Sequence, residues 1–196
     1  MKKRDLEFLF EIGSLRNFER AWRQHAGLSV ASTPEHTFRV AFLALLIARE
    51  EGLRGSDEKI LKMALLHDVA ETRTGDLGYV QRVYVKADDH KAASDMFADT
   101  SFGDLEKILQ EYEARSSKEA KIVKDADNLE YDLEIRELEE QGHKLPKKLA
   151  GNRRLVRDKK FYTKTAKRLW DALKRADPDA WHLKANKWKK LPGAGR

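Results

Sequence analysis

The chain has 196 residues, of which 41% are hydrophobic and 37% charged, and it contains no cysteine. It is long enough to bury a core and too rich in apolar side chains for wholesale disorder, and the lack of cysteine excludes disulfides, zinc–thiolate sites and thiol catalysis. No apolar run approaches the ~20 residues of a membrane span. The start MKKRDLEFLF lacks the apolar stretch and cleavage site of a signal peptide, so a cytoplasmic location with no membrane partner is expected.

The net charge of +6 is unevenly spread. From Lys144 onward the chain holds 18 Lys and Arg against 4 Asp and Glu, whereas residues 1–143 hold 21 against 29. A basic final quarter on an acidic body can signal nucleic-acid contact. It also suits a solvated helix face, a contact with the body or a second copy, or a phosphorylated small substrate.

In chain order, Leu6, Leu9 and Phe10 fall at i, i+3 and i+4 and open a first helix that Gly13 ends. A loop follows to about Thr33. Ser32-Thr33-Pro34-Glu35 starts a second helix, by a capping box from Ser32 to Glu35 or with Thr33 as cap and Pro34 in the first turn. This helix runs to Arg49 and is apolar on most sides, which predicts a central position. Gly52 to Gly55 turns the chain, and Ser56 can cap a helix through Ile60, Leu61, Ala64, Leu65, His67 and Val69. Thr72 to Gly78 is a glycine-punctuated loop, and Tyr79 to Val85 reads as irregular or helical. Short helices are expected near 87–98 and 102–114. Ser116-Ser117-Lys118-Glu119 reads as a capping box for a long helix that Gly142 ends. The remainder predicts a helix near 158–175 and a last one capped by Asp177, with Pro178 at its first position and a fraying end. With no strand, repeat or linker, the expectation is one all-α domain over 1–196, with a basic helical segment from about 144.

The strongest chemical signal is Leu65-Leu66-His67-Asp68 at the end of an apolar helix. Burying Asp68 without a partner would cost several kcal/mol, so a cation should meet it. Adjacent residues on a helix point about 100° apart, but near a helix end they can converge on one ion. His36 sits near the start of another apolar helix. Asp127 lies beside the stripe of Val123, Ala126, Leu129 and Tyr131 in the long helix, where a lone carboxylate is out of place. Taken singly, a histidine on an apolar helix is more often a satisfied core residue, and an aspartate in an acidic helix is usually solvated. Two imidazoles and two carboxylates on three helices instead suit one divalent ion of Mn, Co, Fe, Ni or Zn.

This pattern resembles the HD-domain metal-dependent phosphohydrolases. Its wider motifs are Pro34-Glu35-His36, His67-Asp68-Val69-Ala70-Glu71, Thr74-Gly75-Asp76-Leu77 and Asp125-Ala126-Asp127, and they are similar to the 5′-deoxynucleotidase branch over roughly residues 14–140. The resemblance implies an all-helical bundle in which His36, His67, Asp68 and Asp127 hold one metal. It implies that Glu71 orients or deprotonates the attacking water or protonates the leaving oxygen, and that Asp76 holds the sugar hydroxyl. Trp22, fourteen residues before His36, matches a tryptophan of the sugar pocket. The chemistry is consistent with this: metal binding lowers the pKa of water and neutralises developing charge, and Glu71 lies one turn past both His67 and Asp68.

The family places a phosphate-binding arginine just before the tryptophan, whereas the order here is Arg20-Ala21-Trp22-Arg23. Arg20 is the choice, with Arg16 and Arg23 as alternates, because a planar guanidinium clamps two phosphate oxygens. Tyr79 follows the glycine loop as a candidate base contact. His90 lacks a partnered context and reads as surface. Trp170 and Trp181 should anchor the last helices. The expected function is hydrolysis of deoxyribonucleoside 5′-monophosphates. The alternatives are hydrolysis of nucleoside triphosphates or another phosphorylated metabolite and, more distantly, a nucleic-acid-binding or regulatory module. Homodimerisation is expected, partly from the resemblance; a nucleic-acid partner is not.

Overall fold

The structure, a computed structural model, describes residues 1–27, 30–185 and 188. Among the described residues every regular element is helical, as expected. The α-helices are α1 (Asp5–Gly13), α2 (Arg23–Ala26), α3 (Thr33–Glu50), α4 (Asp57–Leu66), α5 (Glu71–Thr74), α6 (Gln81–Tyr84), α7 (Asp89–Phe97), α8 (Leu105–Ala114), α9 (Lys118–Glu140), α10 (Leu145–Lys159), α11 (Lys164–Leu173) and α12 (Ala180–Ala185). None is long and apolar enough to cross a membrane.

Helix α3 is central, packed chiefly on α9 and α4. Both halves of its capping box form, with the Ser32 backbone N–H donating to Glu35 Oε2 at 2.7 Å. Val40, Ala44, Ile47 and Ala48 face inward at helical spacing and meet Ile60 and Met63 of α4 and Ile122, Val123 and Ala126 of α9 in one core. Truncating a large member such as Ile60 or Met63 to alanine costs about 2–5 kcal/mol. One ridge of α3 faces outward and leaves Phe38, Phe42 and Leu46 exposed, so the helix is central but not enclosed.

The first helix forms, but its apolar stripe does not enter the core. Leu6, Leu9 and Phe10 are exposed, and Phe8 is the buried contact, packed on Phe97 and Phe102. Asp5 fixes this orientation by accepting from the Lys2 and Ser101 backbones and the Ser101 hydroxyl. Helix α4 stops at Leu66 rather than running to Val69, and Ser56 gives its hydroxyl to Glu119 instead of capping it. The cap of α9 is Ser117, which accepts from the Ala120 N–H, not Ser116.

Sequence periodicity missed α10, which fills most of the gap before the helix expected near 158–175. Its buried member is Pro146. Polar ties hold it instead: Arg153 donates to both oxygens of Asp132 at 2.8 and 2.7 Å and to the Asn128 carbonyl at 2.8 Å. The basic segment therefore complements acidic α9 within the chain. Trp170 is buried as expected, but Trp181 is 73% exposed and belongs to neither core cluster of the described residues. Asp177 accepts from the Asp179 N–H, and α12 begins after Pro178, at Ala180. The expected fraying end lies outside the described residues.

Candidate functional site

Three helices bring His36, His67, Asp68 and Asp127 together. His36 projects from the first turns of α3. His67 and Asp68 occupy the turn where α4 stops, and that break lets neighbouring side chains converge: His67 Nε2 lies 3.0 Å from Asp68 Oδ2. Asp127 comes from α9, with Oδ1 at 3.2 Å from His36 Nε2 and 4.0 Å from His67 Nε2. His36 Nε2 is 3.2 Å from His67 Nε2 and 3.5 Å from Asp68 Oδ2.

The outer ring nitrogens decide what this cluster can hold. His36 Nδ1–H donates to Glu130 Oε2 at 2.5 Å, and His67 Nδ1–H donates to the Ala64 carbonyl at 2.7 Å. With both rings neutral, each Nε2 carries a lone pair, and the two face each other beside two carboxylates. Such a set fits a divalent cation, with each imidazole oriented by its second hydrogen bond. His67 and Asp127 with His36 form a group whose ligand atoms all lie within 4.8 Å of one another. His36 expresses the same need for positive charge. Burial opposes its protonation, but hydrogen bonds to Asp127 and Glu130 prevail and lift its pKa to about 9. Asp127 is held well below the usual carboxylate range: burial works against this, and Lys124, 2.6 Å from Oδ2, and His36 overcome it.

Glu71, at the start of α5, faces the cluster. Burial first, then the charges of Asp68 and Asp76, push its pKa to about 9, and Oε2 is buried without a hydrogen-bond partner. Arg20 points at the same place. Burial opposes its charge, but Asp68, Asp127 and Asp76 hold it firmly protonated. Its Nε lies 3.5 Å from Asp76 Oδ2, an ion pair without hydrogen-bond geometry, and both Nε and Nη1 are buried and unpartnered. Arg16 is exposed, and Arg23 pairs with Glu19 at 2.9 Å, so Arg20 is the arginine at the cluster. Asp76 Oδ2 accepts the Ala21 N–H at 2.8 Å, which ties the Arg20 turn to the glycine loop. Trp22 is buried, edge-on to Tyr131 at 4.8 Å, with Nε1 unpartnered.

Tyr79 is 65% exposed, with its ring on His25. His90 is exposed beside Gln110 and is not brought to the cluster. Sequence reasoning missed Glu130, which is fully buried; its Oε1 accepts from Arg39 Nε at 2.9 Å. The signal was present, because Glu130 lies one turn past Asp127 beside Leu129 on the inward face. It also missed Tyr112 of α8, buried and edge-on to His67 at 5.9 Å.

Comparison with known proteins agrees with this geometry. The family profile described as "HD domain" matches residues 12–172, so it reaches through α10 and most of α11. The chain is 32% identical over 143 residues to the 5′-deoxynucleotidase HDDC2 of Danio rerio, covering 69% of this chain and 70% of that protein. It is 32% identical over 157 residues to the protein of the same name from Dictyostelium discoideum, covering 74% and 82%. A solved protein from Pyrococcus horikoshii superposes with a TM-score of 0.69 at 28% identity, over 86% of this chain and 96% of that one. A conserved hypothetical protein from Pyrococcus furiosus, 23% identical, shares the fold with a TM-score of 0.73 over 88% and 100%. The chain belongs to the HD-domain family of metal-dependent phosphohydrolases, in the branch of the 5′-deoxynucleotidases.

Proposed function

We propose that the protein hydrolyses deoxyribonucleoside 5′-monophosphates to deoxynucleosides and phosphate, using one divalent transition metal of Mn, Co, Fe, Ni or Zn. One observation carries the reading. Seven buried side-chain polar atoms lack a partner among the described residues, and four of them belong to Arg20, Trp22 and Glu71. Native proteins satisfy nearly all such atoms. The orphans of Arg20 and Glu71, beside the cluster of histidines and aspartates, mark where a polar ligand completes the hydrogen bonding.

His36, His67, Asp68 and Asp127 would hold the metal, which when bound supplies a water of lowered pKa and positive charge opposite the phosphate. Arg20, held charged beside Asp76 with Nε and Nη1 lacking a hydrogen-bond partner, binds phosphate oxygens. Glu71 Oε2 holds the proton that moves during hydrolysis, to or from the attacking water or the leaving oxygen. Asp76 keeps Oδ2 on the Ala21 N–H and offers Oδ1 to a sugar hydroxyl. Trp22 walls the sugar, and Tyr79 contacts the base. The names of the curated relatives support the same activity. The packing of α10 and α11 on α9 supports one catalytic unit spanning the whole chain. The exposed ridge of Phe38, Phe42 and Leu46 supports a homodimer, which sedimentation velocity tests.

The deciding assay is phosphate release from metal-stripped protein given Mn²⁺, Co²⁺, Ni²⁺, Fe²⁺ or Zn²⁺ in turn. Metal-restored release from dNMPs, weaker from the ribonucleotides, is the expected result. Tripolyphosphate released from dNTPs would replace the reading with triphosphate hydrolysis. No turnover of any nucleotide with metal bound would overturn it.

A further inference from the structure

An aromatic row runs from α9 to the surface. It begins with Tyr131, one turn beyond Asp127 on α9. Trp22 packs edge-on against Tyr131 at 4.8 Å. The Tyr79 hydroxyl is near enough to help raise the pKa of Tyr131, whose shift, to about 12, comes first from burial. The row ends with the rings of Tyr79 and His25, 25° from parallel with centroids 5.8 Å apart. Both end rings are exposed, and neither belongs to a core cluster.

The end rings are held in place by the strips that carry them. The strip before α3 and the glycine loop are joined by the Ala21 N–H on Asp76 at 2.8 Å and by Gln81 on Gln24 at 2.9 Å. They touch closely enough that a side chain at Gly78 would meet Ala21 at 3.2 Å and Gln81 at 2.7 Å. Along these strips the half-buried Arg20 and Asp76 come first in sequence, and the exposed His25 and Tyr79 follow. A polar, charge-binding end followed by exposed flat rings matches the order of a 5′-nucleotide, phosphate then sugar then base. Exposed aromatic faces bind bases by stacking, which every base can offer.

Building on the nucleotidase reading, we propose that His25 and Tyr79 form the nucleobase-stacking platform of this site, and that it contributes affinity with little discrimination among bases. The ring of Tyr79 carries the contact, and His25 backs it.

The test compares dAMP with 2-deoxyribose 5-phosphate, which keeps the phosphate and sugar but has no base, on Tyr79→Ala, Tyr79→Phe and His25→Ala. Tyr79→Ala should raise KM for dAMP about tenfold, with KM for the sugar phosphate unmoved. Tyr79→Phe should recover most of the loss, and His25→Ala should show a smaller rise of the same kind. An unchanged KM for dAMP in both alanine variants, or equal rises for both substrates, overturns the platform and leaves the nucleotidase reading standing. A wild-type protein that uses 2-deoxyribose 5-phosphate as well as dAMP, with equal KM, overturns the platform and the nucleotide reading together.

Discussion

Asp125 and Asp127 stand two residues apart on α9 and face different regions of the molecule. Asp125 turns to the joint with α11, where it accepts from the Tyr162 and Thr163 backbones at 2.8 and 2.7 Å and from the Thr163 hydroxyl at 2.7 Å. Every partner there brings a proton. Asp127 turns to two imidazole lone pairs and another carboxylate, with Lys124 behind it. A carboxylate met by donors is architecture. One grouped with a second carboxylate and two imidazoles is placed for a cation. Burial alone does not separate the two, because both regions are largely removed from solvent.

The contrast breaks most completely at Asp127. Asp127→Ala should reduce turnover to background. Added Mn²⁺ should raise the Tm of the wild-type protein by mass action on the folded state, and the variant should lose that rise. A variant that keeps both would mean that Asp127 is not at the metal. Next in size is Glu71→Ala, which should lower kcat by about 10²–10⁴-fold if the residue moves a proton, while keeping the Mn²⁺-dependent rise in Tm. Full activity would remove Glu71 from the chemistry.

Asp125→Ala should do the reverse. It strands three donors at the joint, so urea unfolding should show a loss of about 3 kcal/mol. Activity per folded molecule and the Mn²⁺-dependent rise in Tm should persist. A loss of metal binding without a loss of stability would erase the distinction between the two aspartates.

The sequence revealed the cluster because its residue types are out of place: His36 and His67-Asp68 on apolar helices, and Asp127 beside an inward stripe. It assigned no role to Asp125, whose partners lie 37 and 38 residues away. Glu130 was hidden among the many glutamates of α9. Helix α10 was hidden because its apolar contacts are few, and the pair of Arg153 and Asp132 helps hold it down. In α1 the i, i+3, i+4 pattern is genuine, but the ties of Asp5 to Ser101 roll the helix so that Phe8 faces inward instead. Local periodicity shows that a helix forms; the polar contacts that orient it are long-range.

Glu130 gives the finest test, because it belongs to both kinds of region. One oxygen meets protons on Arg39, as at Asp125, and the other meets His36 Nδ1–H and so reaches the metal side of the ring. Glu130→Gln keeps the shape and an acceptor for Nδ1–H but removes the charge that holds the imidazole in place. Partners of metal-binding histidines typically contribute 10–100-fold to metal affinity. We expect Glu130→Gln to weaken Mn²⁺ binding about tenfold by calorimetry, near the lower end of that range, and Glu130→Ala to approach about 100-fold. At saturating Mn²⁺ the glutamine variant should retain most of its kcat, since no reacting atom has been removed. If both variants bind Mn²⁺ as the wild type does, Glu130 belongs with Asp125: its bonds serve the joint between α3 and α9, and the metal site ends at the histidine ring.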